Sequence, residues 1–250
     1  MRKNERKKTM IETLLTNEIF KTLDYAKARR CCVLIQGRTG RGKTEAAKSW
    51  CRKRKDAIYI DCPAEGGRPA LAAAIAEASG APNVNDLQAF LAGKKTTIVL
   101  DECARLLPQK HGERATILEW LRRLHDQSGV ALAFIATDFF IRICSAGALC
   151  EYLEQLIGRF RDKLLIPDYV SEQEANDILA CIMSQPSQEA IIWATRVANE
   201  MGKGGARRLW WLLDDAADIA KQTKRTIDVP FLQAVLKDYE GRQRLPEKEG

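Results

Sequence analysis

Two hydrophobic rhythms alternate along the first two thirds of this chain, and only one continues after them. "CCVLIQ", "AIYIDC", "TTIVLD", "VALAFIAT" and "DKLLIP" are short apolar runs with the length and β-branched content of buried strands. Between them, apolar positions repeat every three or four residues, the helical period. "NEIFKTLDYAKARR" predicts a helix ahead of the first strand, with Ile19, Phe20, Leu23, Tyr25 and Ala26 on or near one face. Further helices are expected at "TEAAKSWCRKR", "RPALAAAIAEAS" and "ERATILEWLRRLHDQSG", the last turning Ile117, Leu118, Leu121 and Leu124 inward. "NVNDLQAFLAG" predicts a short helix closed by glycine. This βαβα order implies an α/β fold: a parallel sheet with helices on both faces.

At Pro167 the strand rhythm stops. Ser171 to Glu174 reads S-x-x-E, a capping box that opens a helix. "GGARRLWWLLDDAADIAKQTKR" and "VPFLQAVLKDYE" continue the helical period. The expected organisation is a basic N-terminal arm at 1–15, an α/β core at 16–168, a small α-helical lid at 169–240 and a polar tail at 241–250.

Composition narrows the class. The chain has 250 residues, 46% hydrophobic and 29% charged, which are globular values. No apolar run approaches the ~18 residues of a membrane helix. The basic start, "MRKNERKK", is followed by no apolar signal core. A cytoplasmic protein without a membrane partner is expected. Eight cysteines form no C-x-x-C pair and only two histidines are present, which argues against zinc and for reduced, structural thiols. The net charge of +7 favours a polyanionic partner such as nucleic acid.

The chemistry is carried by "GRTGRGKTEAAKSW". It fits G-x-x-x-x-G-K-[ST] across Gly37, Arg38, Thr39, Gly40, Arg41, Gly42, Lys43 and Thr44, with Glu45 next. Glycines let the backbone curl so that its N–H groups meet phosphate oxygens, while Lys43 reaches the β- and γ-phosphates. The Thr44 hydroxyl suits Mg²⁺, and the following helix adds its N-terminal dipole. A strand before and a helix after supply the required setting. The second half is "TTIVLDEC", an apolar strand ending in Asp101 and Glu102. Asp101, expected beside the phosphate loop, would hold Mg²⁺ through water or through Thr44, and Glu102 would polarise the attacking water. Thr137 or Asp138 ends the next strand where a polar group could sense the γ-phosphate. Arg159 and Arg161 fall just before the last core strand, and either could serve a neighbouring subunit as an arginine finger. Arg207 and Arg208 open a lid helix, from which an arginine could face the nucleotide. Trp210 and Trp211 read as lid packing.

In order, "GRTGRGKT", "TTIVLDE", "FIATD", "LIGRFR" and "GGARRL" resemble the AAA+ ATPases. More narrowly, "EQLIGRFR" and "GGARRLWWLLDDAA" look like the transposition-regulator branch of Mu B, TnsC and TniB. The resemblance covers about residues 15 to 240. It implies ATP and Mg²⁺ as cofactors, ATP held between subunits, and a homo-oligomer, ring or helical filament, assembled on double-stranded DNA to recruit a transposase. It assigns sensor one to Thr137 or Asp138, the finger to Arg159 or Arg161, and sensor two to Arg208. It also turns the loops after the second strand, "AEGGRPA" and "GAPNVND", toward DNA, with Arg68, Asn83 and Asn85 as backbone contacts. "LLPQKHGER" is a second basic loop and a further candidate contact. Only about 15 residues precede the core, so a short form without the N-terminal helix-turn-helix domain of Mu B is expected. The alternative is a helicase-loader-like AAA+ protein of the IstB and DnaC group, which shares every nucleotide motif and differs in its partner. A small-molecule kinase would lack the Asp–Glu pair followed by a sensor strand and a separate lid. A GTPase would carry N-K-x-D, which is absent.

Overall fold

The structure is a computed structural model that describes residues 12–108, 116–144, 150, 154, 156–200 and 205–243. Five strands form one sheet: β1 (Cys32–Gln36), β2 (Ala57–Asp61), β3 (Thr97–Asp101), β4 (Ala131–Ala136) and β5 (Phe160–Leu165). Their order is β2-β3-β4-β1-β5, and every neighbouring pair is parallel. Every residue of β3 and β4 is buried, as expected of inner strands covered on both faces. The edge strands β2 and β5 are only partly buried.

Helices α1 (Leu14–Arg29), α2 (Lys43–Arg52), α3 (Gly67–Ser79), α4 (Leu87–Leu91), α5 (Thr116–Ser128) and α6 (Asp138–Cys144) lie between or before the strands. In α1 the buried stripe is Thr16, Ile19, Thr22, Leu23 and Ala26, while Tyr25 is exposed and Phe20 half-buried. The 3.6-residue period rotates Tyr25 off the stripe that its neighbours share. Leu118, Leu121 and Leu124 of α5 join Leu34, Leu100, Phe134 and Phe160 in one core, with Ile117 at its margin. Phe134 and Phe160 meet edge to face, ring centroids 5.2 Å apart.

That contact corrects the last strand. "DKLLIP" places it at 162–167, but β5 begins at Phe160, where the buried ring anchors it, and leaves Leu165 64% exposed. Arg161 therefore lies inside β5, and only Arg159 precedes it.

The C-terminal part holds α7 (Glu172–Leu179), α8 (Gln188–Ala198), α9 (Gly205–Thr223) and α10 (Val229–Gln243) around a second core of Leu179, Trp193, Leu209, Leu212, Leu213 and Leu232. The chain forms two compact units. One comprises Thr16–Arg38 and Lys43–Ile166; the other comprises Met1–Leu15, Thr39–Gly42 and Pro167–Gly250. Trp210 is half-buried against the helical core, but Trp211 is 49% exposed, so only the first packs as expected.

All eight cysteines are free; Cys150 and Cys181 are exposed and the other six buried. Burial pushes the thiols of Cys32, Cys51 and Cys144 up to about 12. No described helix is long and apolar enough to cross a membrane.

Candidate nucleotide-binding site

Strand β1 ends at Gln36 and releases the chain into the Gly37–Gly42 loop. Glycine at 37 is a packing requirement: a Cβ there would lie 2.7 Å from the Ile166 Cβ. Glycine at 42 is a conformational one, because its φ of +81° is strained for any residue with a Cβ and nothing else crowds it. Lys43 then opens α2. Its ammonium donates to the carbonyls of Gly37 (2.5 Å) and Arg38 (2.7 Å), inside the loop's own curve. Lys43 is only 8% exposed. Thr44 is half-buried, whereas Arg38, Thr39 and Glu45 are exposed.

The loop tip, Thr39–Gly42, groups with the C-terminal helices. The Arg207 N–H donates to the Gly40 carbonyl at 3.1 Å. Arg41 reaches Glu174 of α7 at 2.7 Å, with both side chains buried. Burial raises the Glu174 carboxyl pKa, and Arg41 opposes that shift. The expected capping box is thus half made. The Ser171 hydroxyl accepts from the Glu174 N–H at 3.2 Å, but the Glu174 side chain goes to Arg41.

Asp101 ends β3 at the carboxyl edge of the sheet, the edge at which α/β folds bind ligands. In the sheet, β4 stands between β3 and the strand β1 that leads into the phosphate loop. Both oxygens of the buried carboxylate accept hydrogen bonds: Oδ1 from the Glu102 N–H at 2.8 Å, Oδ2 from the Tyr59 hydroxyl at 2.7 Å. Glu102 is exposed and holds a left-handed backbone, φ 56° and ψ 43°. Tyr59 escaped the sequence reading. Its alternation in "AIYID" puts it on one face with Asp61, but only the register Asp61↔Asp101 brings that face to Asp101. Burial, and then the bond to Asp101, pushes the Tyr59 phenol pKa well up, so it is a neutral donor.

At the end of β4, Thr137 is half-buried and Asp138 exposed. Asp138 accepts from the Gln36 side chain at 2.8 Å, which links the ends of β4 and β1. Arg159 grips Asp126 of α5 through Nε and Nη2, both at 2.9 Å. That bond holds the Asp126 carboxyl below its ordinary range and raises Arg159. Arg161 is exposed on the edge strand. Arg208 is buried and pairs with Glu200 (2.6 Å) and Glu240 (2.5 Å), while Arg207 is exposed.

The proposed DNA residues are exposed. Gly66 and Gly67 take positive φ and start α3, and the Arg68 guanidinium stands 5.8 Å from the Trp120 ring. Asn83 bonds to Asp86 and caps its own turn. Of "LLPQKHGER", residues 109–115 lie outside the described residues, as do the first eleven residues of the N-terminal arm and the tail from 244.

The donor set fits Mg²⁺ held with a nucleotide. A threonine hydroxyl and a carboxylate are hard oxygen donors, and Mg²⁺ takes one or two such protein groups plus phosphates and water. Among the described residues no cluster of three or more His, Cys, Asp or Glu could make an all-protein cage.

Comparisons agree with this geometry. The family model for the AAA domain matches residues 26–143. The Mu-like prophage FluMu DNA transposition protein B of Haemophilus influenzae is 26% identical over 139 residues, 51% of this chain and 45% of that protein. The match thus spans less than half the length of that relative. Among solved structures, the Aeropyrum pernix Orc1 protein in complex with DNA aligns with a TM-score of 0.62 at 20% identity, covering 92% of this chain and 67% of that one. Cdc6p of Pyrobaculum aerophilum gives 0.63 at 18%, covering 87% and 65%. Domain III of the Thermotoga maritima replication initiation protein DnaA gives 0.57 at 17%, covering 92% and 94%. At such identities these structures speak to fold alone. Phosphate loop, acid-ended strand and family match together define the class of this region: residues 26–143 match the AAA domain. The similarity to the transposition protein B relative points the same way as the resemblance to the transposition-regulator branch.

Proposed function

We propose that this protein is an ATP-dependent, largely sequence-non-specific DNA-binding ATPase that oligomerises on target DNA and recruits or activates a transposase. The supporting observation is the pairing of two strand ends: β1 delivers Lys43 and Thr44, and β3 delivers Asp101 and Glu102, all at the carboxyl side of one sheet. The name of the transposition protein relative supplies the direction of the DNA and transposase readings.

In this reading Lys43 leaves its loop carbonyls for the β- and γ-phosphate oxygens. Thr44 and Asp101 hold the metal side, directly or through water. Mg²⁺, when bound with ATP, neutralises charge developing on the phosphates. Glu102 orients the attacking water and accepts its proton, and Thr137 or Asp138 helps to position that water. An arginine from a neighbouring subunit completes the site, so hydrolysis is slow until subunits meet. ATP then favours assembly, because its γ-phosphate meets the neighbour's arginine only in the assembled state; ADP lacks that contact, so the assembly loosens after hydrolysis. Arg68, Asn83 and Asn85 contact the DNA backbone, and the complex works in the cytoplasm.

The test is electron microscopy of the protein with duplex DNA, in ATP and then in ADP. Filaments or rings on DNA in ATP alone are expected. Monomers in both conditions would overturn the assembly reading and turn attention to a loader that needs its partner.

A further inference from the structure

We propose that Tyr59 is a positioning residue for the metal-facing carboxylate of Asp101. The inference rests on the nucleotide-binding reading above and adds a residue that no phosphate-loop motif specifies. The Tyr59 hydroxyl donates to Asp101 Oδ2 at 2.7 Å, across from the Glu102 N–H that donates to Oδ1 at 2.8 Å. One donor on each oxygen fixes the carboxylate plane, since rotation about χ2 would break both bonds together. Each oxygen keeps a second lone-pair direction free of these two bonds, for a metal ion or a metal-bound water.

The tyrosine is itself held from the other side. The Lys48 ammonium of α2 stands 5.1 Å from the centre of the Tyr59 ring. Lys48 lies one helical turn and a residue beyond Lys43, on the helix that the phosphate loop opens. Thus Lys48, Tyr59 and Asp101 link the phosphate-loop helix, the edge strand β2 and the acid-bearing strand β3. Asp61, the β3-facing neighbour in register with Asp101, is taken up by Arg105 at 2.7 Å and does not compete for the tyrosine.

Hydrogen-bond partners of ligating carboxylates set how well a metal is held, and their loss typically weakens it about 10–100-fold. Tyr59→Phe deletes only the hydroxyl and leaves the ring under Lys48. Binding of a fluorescent ATP analogue is measured in EDTA and across a Mg²⁺ titration, for wild type, Tyr59→Phe and Asp101→Asn. In EDTA all three are expected to bind alike, which also reports that the variants are folded. With Mg²⁺, the half-saturating concentration is expected to rise about tenfold for Tyr59→Phe and further for Asp101→Asn. A Tyr59→Phe curve that overlays a Mg²⁺-dependent wild-type curve overturns the inference alone. A wild type that binds no nucleotide overturns the underlying reading with it.

A second measurement needs no substitution at 59. Wild-type protein carrying 3-fluorotyrosine at its five tyrosines is observed by fluorine NMR with ADP bound. Added Mg²⁺ should move one resonance in wild type and none in Asp101→Asn. If no resonance moves in wild type while Mg²⁺ still tightens nucleotide binding, the inference fails.

Discussion

Arg41 and Glu174 stand 133 residues apart in sequence and form an ion pair of 2.7 Å with both side chains buried. The Nε and Nη1 atoms of Arg41 have no hydrogen-bond partner among the described residues. Glu174 is therefore the group that compensates a buried guanidinium. Glu174→Ala should destabilise the protein by about 3–5 kcal/mol, because it leaves that charge without its anion. Replacing both residues by apolar ones of similar volume should lose much less. Urea denaturation followed by tryptophan fluorescence measures both. A single variant no worse than a surface substitution would show that the pair is energetically idle.

Lys43 and Glu102 should separate binding from hydrolysis. Lys43→Ala removes the buried ammonium of the phosphate loop and should abolish ATP binding, together with ATP-dependent DNA binding. Glu102→Gln keeps the shape and loses the proposed base, so ATP and DNA binding should be retained and disassembly should stall. Filter binding and phosphate release decide this. Normal DNA binding by Lys43→Ala in ATP-free buffer would break the proposed coupling.

The two finger candidates differ in freedom. Arg159 is doubly bonded to Asp126 of its own chain, whereas Arg161 is exposed on edge strand β5. In the proposed assembly, Arg161 is the better placed to reach another subunit. Arg161→Ala should lower DNA-stimulated hydrolysis by about 10³-fold, the usual scale for a finger, and Arg159→Ala by less than about tenfold. Steady-state ATPase assays at saturating DNA test the assignment; the reverse order of effects would hand the role to Arg159.

The Asp126–Arg159 bond also predicts a pH dependence. Arg159 holds the Asp126 carboxyl below its ordinary value against the opposing effect of desolvation, with lesser help from His125 and Arg122. A depressed folded pKa contributes stability above the unfolded value, about 3.9, and loses it as pH falls through the folded value. Asp126→Asn should therefore be slightly less stable than wild type at pH 7, by no more than about 1 kcal/mol, since both side chains are a third exposed. The gap should close in acid below the ordinary carboxylate range. Melting temperatures of both proteins at pH 7 and pH 3 give the comparison. An equal gap at both pH values would mean that charge is not its origin.

Much of the core was legible because buried parallel strands are written as uninterrupted apolar runs, and "TTIVLD" and "VALAFIAT" are clear examples. The edge was not. In β5 only Phe160 faces the core strongly, so "FRDKLL" reads polar through Arg161, Asp162 and Lys163 and apolar at its exposed end. The phosphate loop was legible because its spacing is local. Tyr59 on Asp101, Glu174 on Arg41 and Asp126 on Arg159 were not, because each depends on strand register or on helix placement tens of residues away. Half of the capping box was hidden for the same reason: a distant arginine outbid the local amide for Glu174.

The left-handed backbone at Glu102 carries a consequence for any effort to make this protein hardier. A residue with a Cβ loses about 1–2 kcal/mol in that conformation, and glycine or asparagine would not. Glu102→Gly should raise the melting temperature by a few degrees, offset in part by glycine's unfolded-state entropy, while hydrolysis disappears. Calorimetry beside a phosphate-release assay would show the two moving in opposite directions. A library sorted by heat resistance alone would therefore drift toward inactive chains at this position. Selection by turnover is what would keep the glutamate in its uncomfortable place.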